Sequence, residues 1–347
     1  MTIDIYHILR RFSRLGGSRM KLAALWLMHV LHRRYLGVFV DPVLVCNYRC
    51  QMCYFSDEDE RKRRRGRMTK EQIGKVSKAL FGRTLKLQIG CGAEPTMDME
   101  GTMELVRQGK SFGVPYIAMT SNGVRLSYEE FVELIAAGLT ELTISLHGVH
   151  KETYERLMGP TANYEAFLVL LETIKRVKAE HPKFQVRVNY TMNAENVDEL
   201  ADFDRLFAEV PIDQLQLRPV REIGKSAWRN FDLTHVTECL ETVVRPLAER
   251  CRKKGITVLF PEKEHIARFE GVEEDDPREK LIALFTYMNV TPMSYPTHDV
   301  HFEKESYETY ARREQIGRTM FRCVFASRRR CAEIETFLNH SLNYDIR

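Results

Sequence analysis

The chain has 347 residues, enough for one large α/β domain with an extension or for two domains. Its hydrophobic content of 44% and charged content of 29% are ordinary for a globular protein. The net charge of +4 is weaker than that of typical nucleic-acid-binding domains, so nucleic acid is an unlikely partner. The eight cysteines follow no secretory signal, so we expect a reducing, cytoplasmic compartment rather than a disulfide framework.

Residues 1–37 are predicted to form a basic, amphipathic helical arm, which Gly16 and Gly17 divide into two helices. The apolar run at 22–31 is too short to cross a membrane, which takes about 20 apolar residues. Basic residues flank this run on both sides. One interpretation is a helix packed on the body of the protein. The other is an interfacial helix that rests on anionic lipid and gives peripheral membrane contact.

From residue 38 onward, strand-like segments alternate with amphipathic, helix-like segments. Strands are predicted at 38–45, 84–90, 115–120, 139–146, 184–191 and 213–220. Helices are predicted at 69–81, 98–111, 127–137, 164–179 and 196–208. Capping boxes at Thr69 with Gln72 and at Ser127 with Glu130 mark two of the helix starts.

Consecutive βα units imply a parallel sheet with right-handed crossovers. Six units are too few to close an eight-stranded barrel. We therefore predict an α/β fold, an open partial (β/α)6 TIM-like barrel, over residues 38–225. Loops at the carboxyl ends of its strands are then expected to carry the function.

A cysteine-rich loop directly follows the first predicted strand. Cys46, Cys50 and Cys53 have the spacing C-x3-C-x2-C. Three soft thiolates on one loop can hold three irons of a [4Fe–4S] cluster and leave the fourth iron open to a ligand. A structural zinc ion needs a fourth ligand, and no second C-x2-C or H-x3-H pair follows. We predict the cluster; zinc, or three metal-free cysteines, are the alternatives.

The charge run at 57–67 comes next and is predicted to be a solvated loop, because like charges repel. A cationic clamp for an anionic substrate is the alternative interpretation of this run. Polar motifs then follow the second, third and fourth predicted strands. They are G-C-G-A-E-P at 90–95, T-S-N-G at 120–123 and S-L-H-G at 145–148. Glycines let the backbone approach a ligand closely, and Glu94 can accept hydrogen bonds from an ammonium group.

Together, the cysteine spacing and these motifs resemble the signature of the radical S-adenosylmethionine (radical SAM) superfamily, over about residues 38–220. G-A-E-P is similar to the family's G-G-E-P motif, with Ala93 in place of the second glycine. The stretch at 145–159 is similar to the family's S-x-D-G…H-D-x-x-R-G stretch, with His147 in place of the aspartate and Tyr154-Glu155 in place of His-Asp. The resemblance implies two cofactors, a [4Fe–4S] cluster and S-adenosylmethionine (SAM).

The resemblance also implies which residues contact SAM. The loop of Gly92, Ala93, Glu94 and Pro95 would hold the amino group of SAM, and Ser121 and Asn122 would face the cofactor. Ser145 and Arg156 would bind its carboxylate or ribose, with a surface ion pair as the alternative for Arg156. Asn189 and Leu217 are further candidates, Leu217 by packing on adenine.

Residues 226–347 are predicted to form a mixed C-terminal extension that caps the barrel. A long helix is predicted at 234–254, followed by a short strand at 256–260. Many radical SAM enzymes carry a cysteine-rich SPASM or twitch module here for auxiliary clusters. This extension has no complete module; its four cysteines are Cys239, Cys251, Cys323 and Cys331.

The resemblance implies an enzyme that splits SAM reductively into methionine and a 5′-deoxyadenosyl radical, which abstracts hydrogen from a substrate. A reductant such as flavodoxin or ferredoxin would supply the electron. The sequence does not decide between a small molecule, a lipid- or sugar-linked molecule and a peptide as substrate, and it predicts no catalytic residue. A peptide-modifying (RiPP maturase-like) enzyme and a nonradical iron–sulfur electron carrier are the alternative functions.

Overall fold

The computed structural model describes residues 16–263, 266 and 276–338. Its centre is one parallel sheet of eight strands, in the order β7-β6-β5-β4-β3-β2-β1-β8. The strands are β1 Leu36–Val40, β2 Thr84–Ile89, β3 Tyr116–Ser121, β4 Glu141–Leu146, β5 Gln185–Met192, β6 Gln214–Pro219, β7 Thr257–Leu259 and β8 Tyr287–Val290. β7 and β8 lie at opposite edges and do not pair, so the sheet is open, which confirms the predicted partial barrel.

Helices occupy the connections between these strands. They are α1 Gly17–Val30, α2 Glu58–Arg63, α3 Lys70–Leu80, α4 Met99–Ser111, α5 Tyr128–Ala137, α6 Lys151–Met158, α7 Tyr164–Glu180, α8 Phe203–Leu206, α9 Thr234–Cys239, α10 Arg245–Lys253, α11 Pro277–Thr286, α12 Tyr307–Arg313, α13 Ile316–Phe325 and α14 Arg328–Leu338. Both predicted capping boxes are present, at the starts of α3 and α5.

The six predicted strands are all present, and two more extend the sheet. The strand predicted at 256–260 is β7, which pairs with β6. β8 pairs in parallel with β1 and was not predicted from the sequence. The predicted extension at 226–347 therefore supplies both edge strands of the sheet.

Three predicted boundaries were wrong for local reasons. β1 ends at Val40 rather than at residue 45, because Pro42 has no N–H to donate to a sheet. The charge run includes the helix α2, whose first turn is capped by the Asp57 side chain. The helix predicted at 196–208 is a 3-10 turn, Asp198–Asp202, followed by the four-residue α8.

Alternation along the strands gives the sheet two different faces. One face is apolar and packs under the helices in the main core, with Val38, Leu87, Leu142, Val188 and Leu215 fully buried. The other, called the polar face below, carries side chains that lie side by side across the strands. Members of this face are Lys86, Gln88, Thr120, Glu141, Thr143, Ser145, Arg187, Asn189, Gln216 and Arg218.

Part of the predicted arm, residues 1–15, lies outside the described residues. The second predicted helix is present as α1, whose Leu22 and Leu25 are buried against the body of the protein. No helix in the described part of the chain combines the length and the apolar character needed to span a membrane.

Candidate active site

The cysteine loop begins just beyond β1. Cys46, Cys50 and Cys53 are free thiols and partly exposed. The amide of Cys53 donates to the carbonyl oxygen of Cys50 at 2.9 Å, and the Arg49 guanidinium donates to the carbonyl oxygen of Cys46 at 2.6 Å. These bonds fix a short segment that presents three sulfur atoms at the carboxyl end of the sheet.

The three cysteines of this loop suit an iron–sulfur cluster in their number and in their soft thiol ligands. Within the described residues, one group of three potential metal ligands has all its ligand atoms within 4.8 Å of one another, and it does not include these cysteines. Two sulfurs bound to one zinc ion at about 2.3 Å can lie at most about 4.6 Å apart. The three sulfur atoms are therefore not gathered around a single ion position, whereas a [4Fe–4S] cluster gives each cysteine its own iron.

The surroundings of the thiols oppose ionisation in the absence of a metal. Burial raises the pKa of the Cys46 thiol to about 12, and the Glu94 carboxylate contributes in the same direction. Burial also raises the pKa of Cys50 and of Cys53. Thiols with a high pKa are poor free nucleophiles at neutral pH, whereas bound metal stabilises the thiolate directly. The loop therefore suits iron binding better than nucleophilic catalysis.

The loop after β2 is held against the cysteine loop by Asp41, a buried carboxylate. Its Oδ1 accepts hydrogen bonds from the backbone amides of Cys91 at 3.0 Å and Gly92 at 3.1 Å. Burial raises the pKa of Asp41 to about 6, although these amides act to lower it. A Cβ atom at position 92 would lie 2.8 Å from Asp41 Oδ2, and Tyr54 donates a hydrogen bond to the Gly92 carbonyl. This close approach therefore requires glycine.

The Glu94 carboxylate joins the loops after β2 and β3. Its Oε1 accepts hydrogen bonds from Ser121 Oγ at 2.6 Å and from Thr96, through Oγ1 at 2.7 Å and the amide at 3.0 Å. Its Oε2 accepts a bond from the Asn122 amide at 2.8 Å. The side chain is buried, and burial raises its pKa. Four protein donors therefore fill most of the acceptor capacity of this carboxylate.

Ser121 and Asn122 lie beside both loops. The Gly123 amide donates to Ser121 Oγ at 2.8 Å, which closes the turn after β3. Asn122 Nδ2 donates to Asn47 Oδ1 at 2.8 Å. Because Asn47 lies between the first two cysteines of the motif, this bond ties the third strand to the cysteine loop.

Ser145 and Asn189 are directly paired across β4 and β5, on the polar face. Asn189 Oδ1 is buried and has no hydrogen-bond partner, and the same holds for His147 Nδ1. Burial lowers the pKa of His147 to about 4, so the ring is neutral at pH 7. Unsatisfied buried polar atoms cost about 1–3 kcal/mol each, so they mark a place that a hydroxyl or amine of a ligand would complete.

Two predicted contacts lie away from this group. Arg156 forms an ion pair with Glu195 and is 45% exposed, which matches the surface ion-pair interpretation. Leu217 lies on the apolar face, because alternation along β6 turns its neighbours Gln216 and Arg218 to the polar face instead. The other predicted residues lie on the cysteine loop, at the ends of β2 and β3, or side by side on β4 and β5 on the polar face.

The four C-terminal cysteines do not gather into one site. Cys331 Sγ lies 3.6 Å from the carbonyl oxygen of Cys323. Cys239 lies beside His235, at 3.7 Å from Nε2, and Cys251 is buried in the core. Among the described residues these cysteines provide no set of ligands for an auxiliary cluster.

Three residues that position the site were missed by the sequence analysis: Asp41, Asn47 and Gly159. Gly159 has φ +96°, and a Cβ atom there would lie 2.3 Å from the carbonyl oxygen of Arg49. The available signals were an aspartate within the first predicted strand, an asparagine within the cysteine motif and the glycine that ends the motif stretch at 145–159. None of these signals is specific without the fold.

Comparisons with known proteins agree with this geometry. The family model described as Radical SAM superfamily matches residues 41–215. A protein named Probable GTP 3',8-cyclase from Saccharolobus islandicus is 28% identical over 214 residues, covering 60% of this chain and 65% of that protein. Its counterpart from Sulfurisphaera tokodaii is 26% identical, covering 59% of this chain and 62% of that protein. The match thus spans less than two thirds of these relatives.

Solved structures support the fold. Streptococcus suis SuiB bound to S-adenosylmethionine has a TM-score of 0.56 at 16% identity, covering 77% of this chain and 61% of that one. The AdoMet-bound structure of anSMEcpe has a TM-score of 0.52 at 16% identity, covering 64% and 63%. At this level of identity the likeness extends to the fold alone.

Proposed function

The chain belongs to the radical SAM superfamily, and from this premise we propose that Cys46, Cys50 and Cys53 hold a [4Fe–4S] cluster at which SAM is cleaved. When bound, the cluster supplies an electron that splits SAM into methionine and a 5′-deoxyadenosyl radical, which abstracts hydrogen from the substrate. The observation that carries the proposal is the trio of free thiols on one loop, beside the loop that Glu94 fixes.

The residues around the trio have separate parts in this proposal. The backbone of Gly92 to Pro95 lies next to the cysteines and offers carbonyl oxygens to the SAM amino group. Asn189 Oδ1 and His147 Nδ1 lack partners and can accept hydrogen bonds from ligand hydroxyls. Ser145 pairs with Asn189 across β4 and β5 and lies two residues before His147. The chain's own task is to orient SAM against one substrate C–H bond and to exclude water.

Anaerobic reconstitution tests the proposal. With SAM and dithionite, the wild-type protein is expected to form 5′-deoxyadenosine, and variants with Cys46, Cys50 or Cys53 changed to alanine are expected to form none. Cys251→Ala serves as the control, because Cys251 is a buried cysteine of α10 and lies outside the cysteine motif. A cluster that is retained without 5′-deoxyadenosine would instead indicate an electron carrier.

The substrate is proposed to be a small molecule, since the sequence relatives named above are GTP cyclases by name. A peptide substrate is the second candidate, because a SuiB structure with a precursor peptide covers 84% of this chain at a TM-score of 0.56. We also propose that a flavodoxin or ferredoxin reduces the cluster. Replacing dithionite by reduced flavodoxin should then sustain 5′-deoxyadenosine formation.

We also propose that the protein is cytoplasmic and that α1 contacts the inner face of the membrane. Met20 and Leu27 form an exposed apolar stripe on α1, and Leu31 follows the end of this helix. Phe321 and Phe325 are exposed on α13, where Phe321 contacts Trp26 of α1. The exposed guanidinium groups of α13 suit anionic headgroups at the border of this stripe. Apolar stripes with basic borders are typical of interfacial helices.

A flotation assay with phosphatidylglycerol-containing liposomes tests this contact. The wild-type protein is expected to float with the liposomes, and a Leu27→Ser/Leu31→Ser variant is expected to remain behind. Val169→Ser removes an even more exposed apolar side chain from α7 and serves as the control. Absence of flotation by the wild type would remove this part of the proposal.

A further inference from the structure

The polar face carries more positive than negative charge. Lys86 on β2, Arg187 on β5 and Arg218 on β6 contribute three cations to it, and Glu141 on β4 contributes a carboxylate. Burying charge without a partner is costly, so an arrangement of this kind is expected to have compensating groups. The lower part of the polar face lies toward the amino ends of the strands, and the upper part lies toward their carboxyl ends. The two parts differ in the groups that compensate the positive charges.

The lower part is compensated within the protein. Glu141 accepts hydrogen bonds from the Tyr116 hydroxyl and, at 3.0 Å, from Thr143 Oγ1, and it lies 3.7 Å from Arg187 Nη2. Arg187 also donates to Gln214 Oε1 at 3.0 Å. Arg187 donates to Gln216 Oε1 as well, at 3.2 Å, so Gln216 links this part of the face to Arg218.

Arg218 lies nearer the carboxyl end of the strands and is not compensated in this way. Its guanidinium donates to Gln216 Oε1 at 3.1 Å. The Cys91 thiol and the Tyr287 phenol act to raise the pKa of Arg218, and Arg187 and Lys86 are like charges that interact with it. Arg218 is exposed to solvent, and the protein around its guanidinium lowers the pKa of this group by partial burial.

The neighbours of Arg218 place it centrally over the polar face. Cys91 belongs to the loop after β2, and Tyr287 lies on β8 at the far edge of the sheet. Lys86 also interacts with both Cys91 and Arg218. The Arg218 guanidinium therefore lies close to the G-C-G-A-E-P loop, at the end of the sheet where the cysteines stand.

We infer that Arg218, with Lys86 behind it, binds an anionic group of the substrate, a carboxylate or a phosphate, at the mouth of the polar face. The planar guanidinium fork matches both of these groups, and the lysine adds a second positive charge. The inference rests on the proposed function, since a substrate bound here lies beside the loop that would hold SAM. The carboxylate of SAM is the other source of the same chemistry.

Calorimetry with inorganic pyrophosphate tests the inference on the full-length protein reconstituted with its cluster and saturated with SAM. Arg218→Gln is expected to weaken pyrophosphate binding by about tenfold or more, the loss typical of a charge-assisted hydrogen bond. Arg218→Lys is expected to restore part of the affinity. Arg205→Gln, an exposed arginine on α8, serves as the matched control and should bind like the wild type.

Several outcomes would overturn the inference. They are undetectable pyrophosphate binding by the wild type, equal affinity of the wild type and Arg218→Gln, and an equal loss in Arg205→Gln. A loss of SAM affinity in Arg218→Gln with unchanged pyrophosphate affinity would assign the arginine to SAM instead. Iron content and 5′-deoxyadenosine formation, measured on the same wild-type preparation, report separately on the proposed function.

Discussion

Replacing Glu94 by glutamine tests whether this residue fixes the two loops or binds the ligand directly. The change preserves shape but replaces one acceptor oxygen with an NH2 group. If the amide oxygen occupies the Oε1 position, the Asn122 amide loses its acceptor; if it occupies the Oε2 position, the Thr96 amide does. The Ser121 and Thr96 hydroxyls can rotate to accept instead. One buried backbone N–H is therefore left unsatisfied in either orientation.

An unsatisfied buried donor costs about 1–3 kcal/mol of unfolding free energy. Since 1 kcal/mol shifts the melting temperature of a mid-sized domain by roughly 2–4 °C, a decrease of at least about 2 °C is expected. Differential scanning fluorimetry without SAM at pH 8 measures this shift. Glu165→Gln, an exposed glutamate on α7, is the control and should melt like the wild type.

The two roles of Glu94 lead to different results. A residue that fixes the loops lowers the melting temperature of Glu94→Gln even when no ligand is present. A residue that only binds the SAM ammonium group weakens SAM binding and leaves the melting temperature unchanged. An unchanged melting temperature would refute the reasoning from the four hydrogen bonds.

Three further changes test other parts of the site. Gly159→Ala should displace the cysteine loop, because its Cβ atom would lie 2.3 Å from the carbonyl oxygen of Arg49, and iron retained per chain after gel filtration should fall. Asn189→Leu should weaken SAM binding in calorimetry if the unpartnered Oδ1 accepts a hydrogen bond from the ligand, and equal affinity would contradict this role. The pKa of Asp41, raised by burial to about 6, favours the protonated form in the folded state, so unfolding free energy should fall as pH rises from about 4 to about 6. Urea denaturation of the metal-free protein should show less of this fall in Asp41→Asn, and an identical pH dependence would exclude Asp41 as its source.

The sequence predicted the parts of the fold that depend on local pattern. Alternating apolar segments located six strands, and the capping boxes located the starts of α3 and α5. β8 was missed because Tyr287–Val290 has only four residues, and its place beside β1 depends on contacts between distant parts of the chain. The short helix α2 was missed because the repulsion expected in its charge run is relieved by i,i+4 ion pairs such as Lys62 with Glu58.

The candidate site also combines residues that local sequence could predict with residues that only the fold identifies. The cysteine trio could be recognised because its ligands lie within eight residues of one another. Leu217 was predicted to pack on adenine. A shift of one residue along β6 exchanges the apolar and the polar face, and the sequence of a single strand does not fix its register. Asp41 and Arg218 were not predicted because their neighbours are distant in sequence. Both residues interact with Cys91 in the loop after β2, and Arg218 also interacts with Tyr287 on β8.

Electron paramagnetic resonance of the reduced cluster, recorded with and without SAM, tests the central claim most directly. If SAM binds at the iron that Cys46, Cys50 and Cys53 leave open, adding SAM should change the spectrum of the wild-type protein. A wild-type cluster whose spectrum is the same with and without saturating SAM would contradict the account.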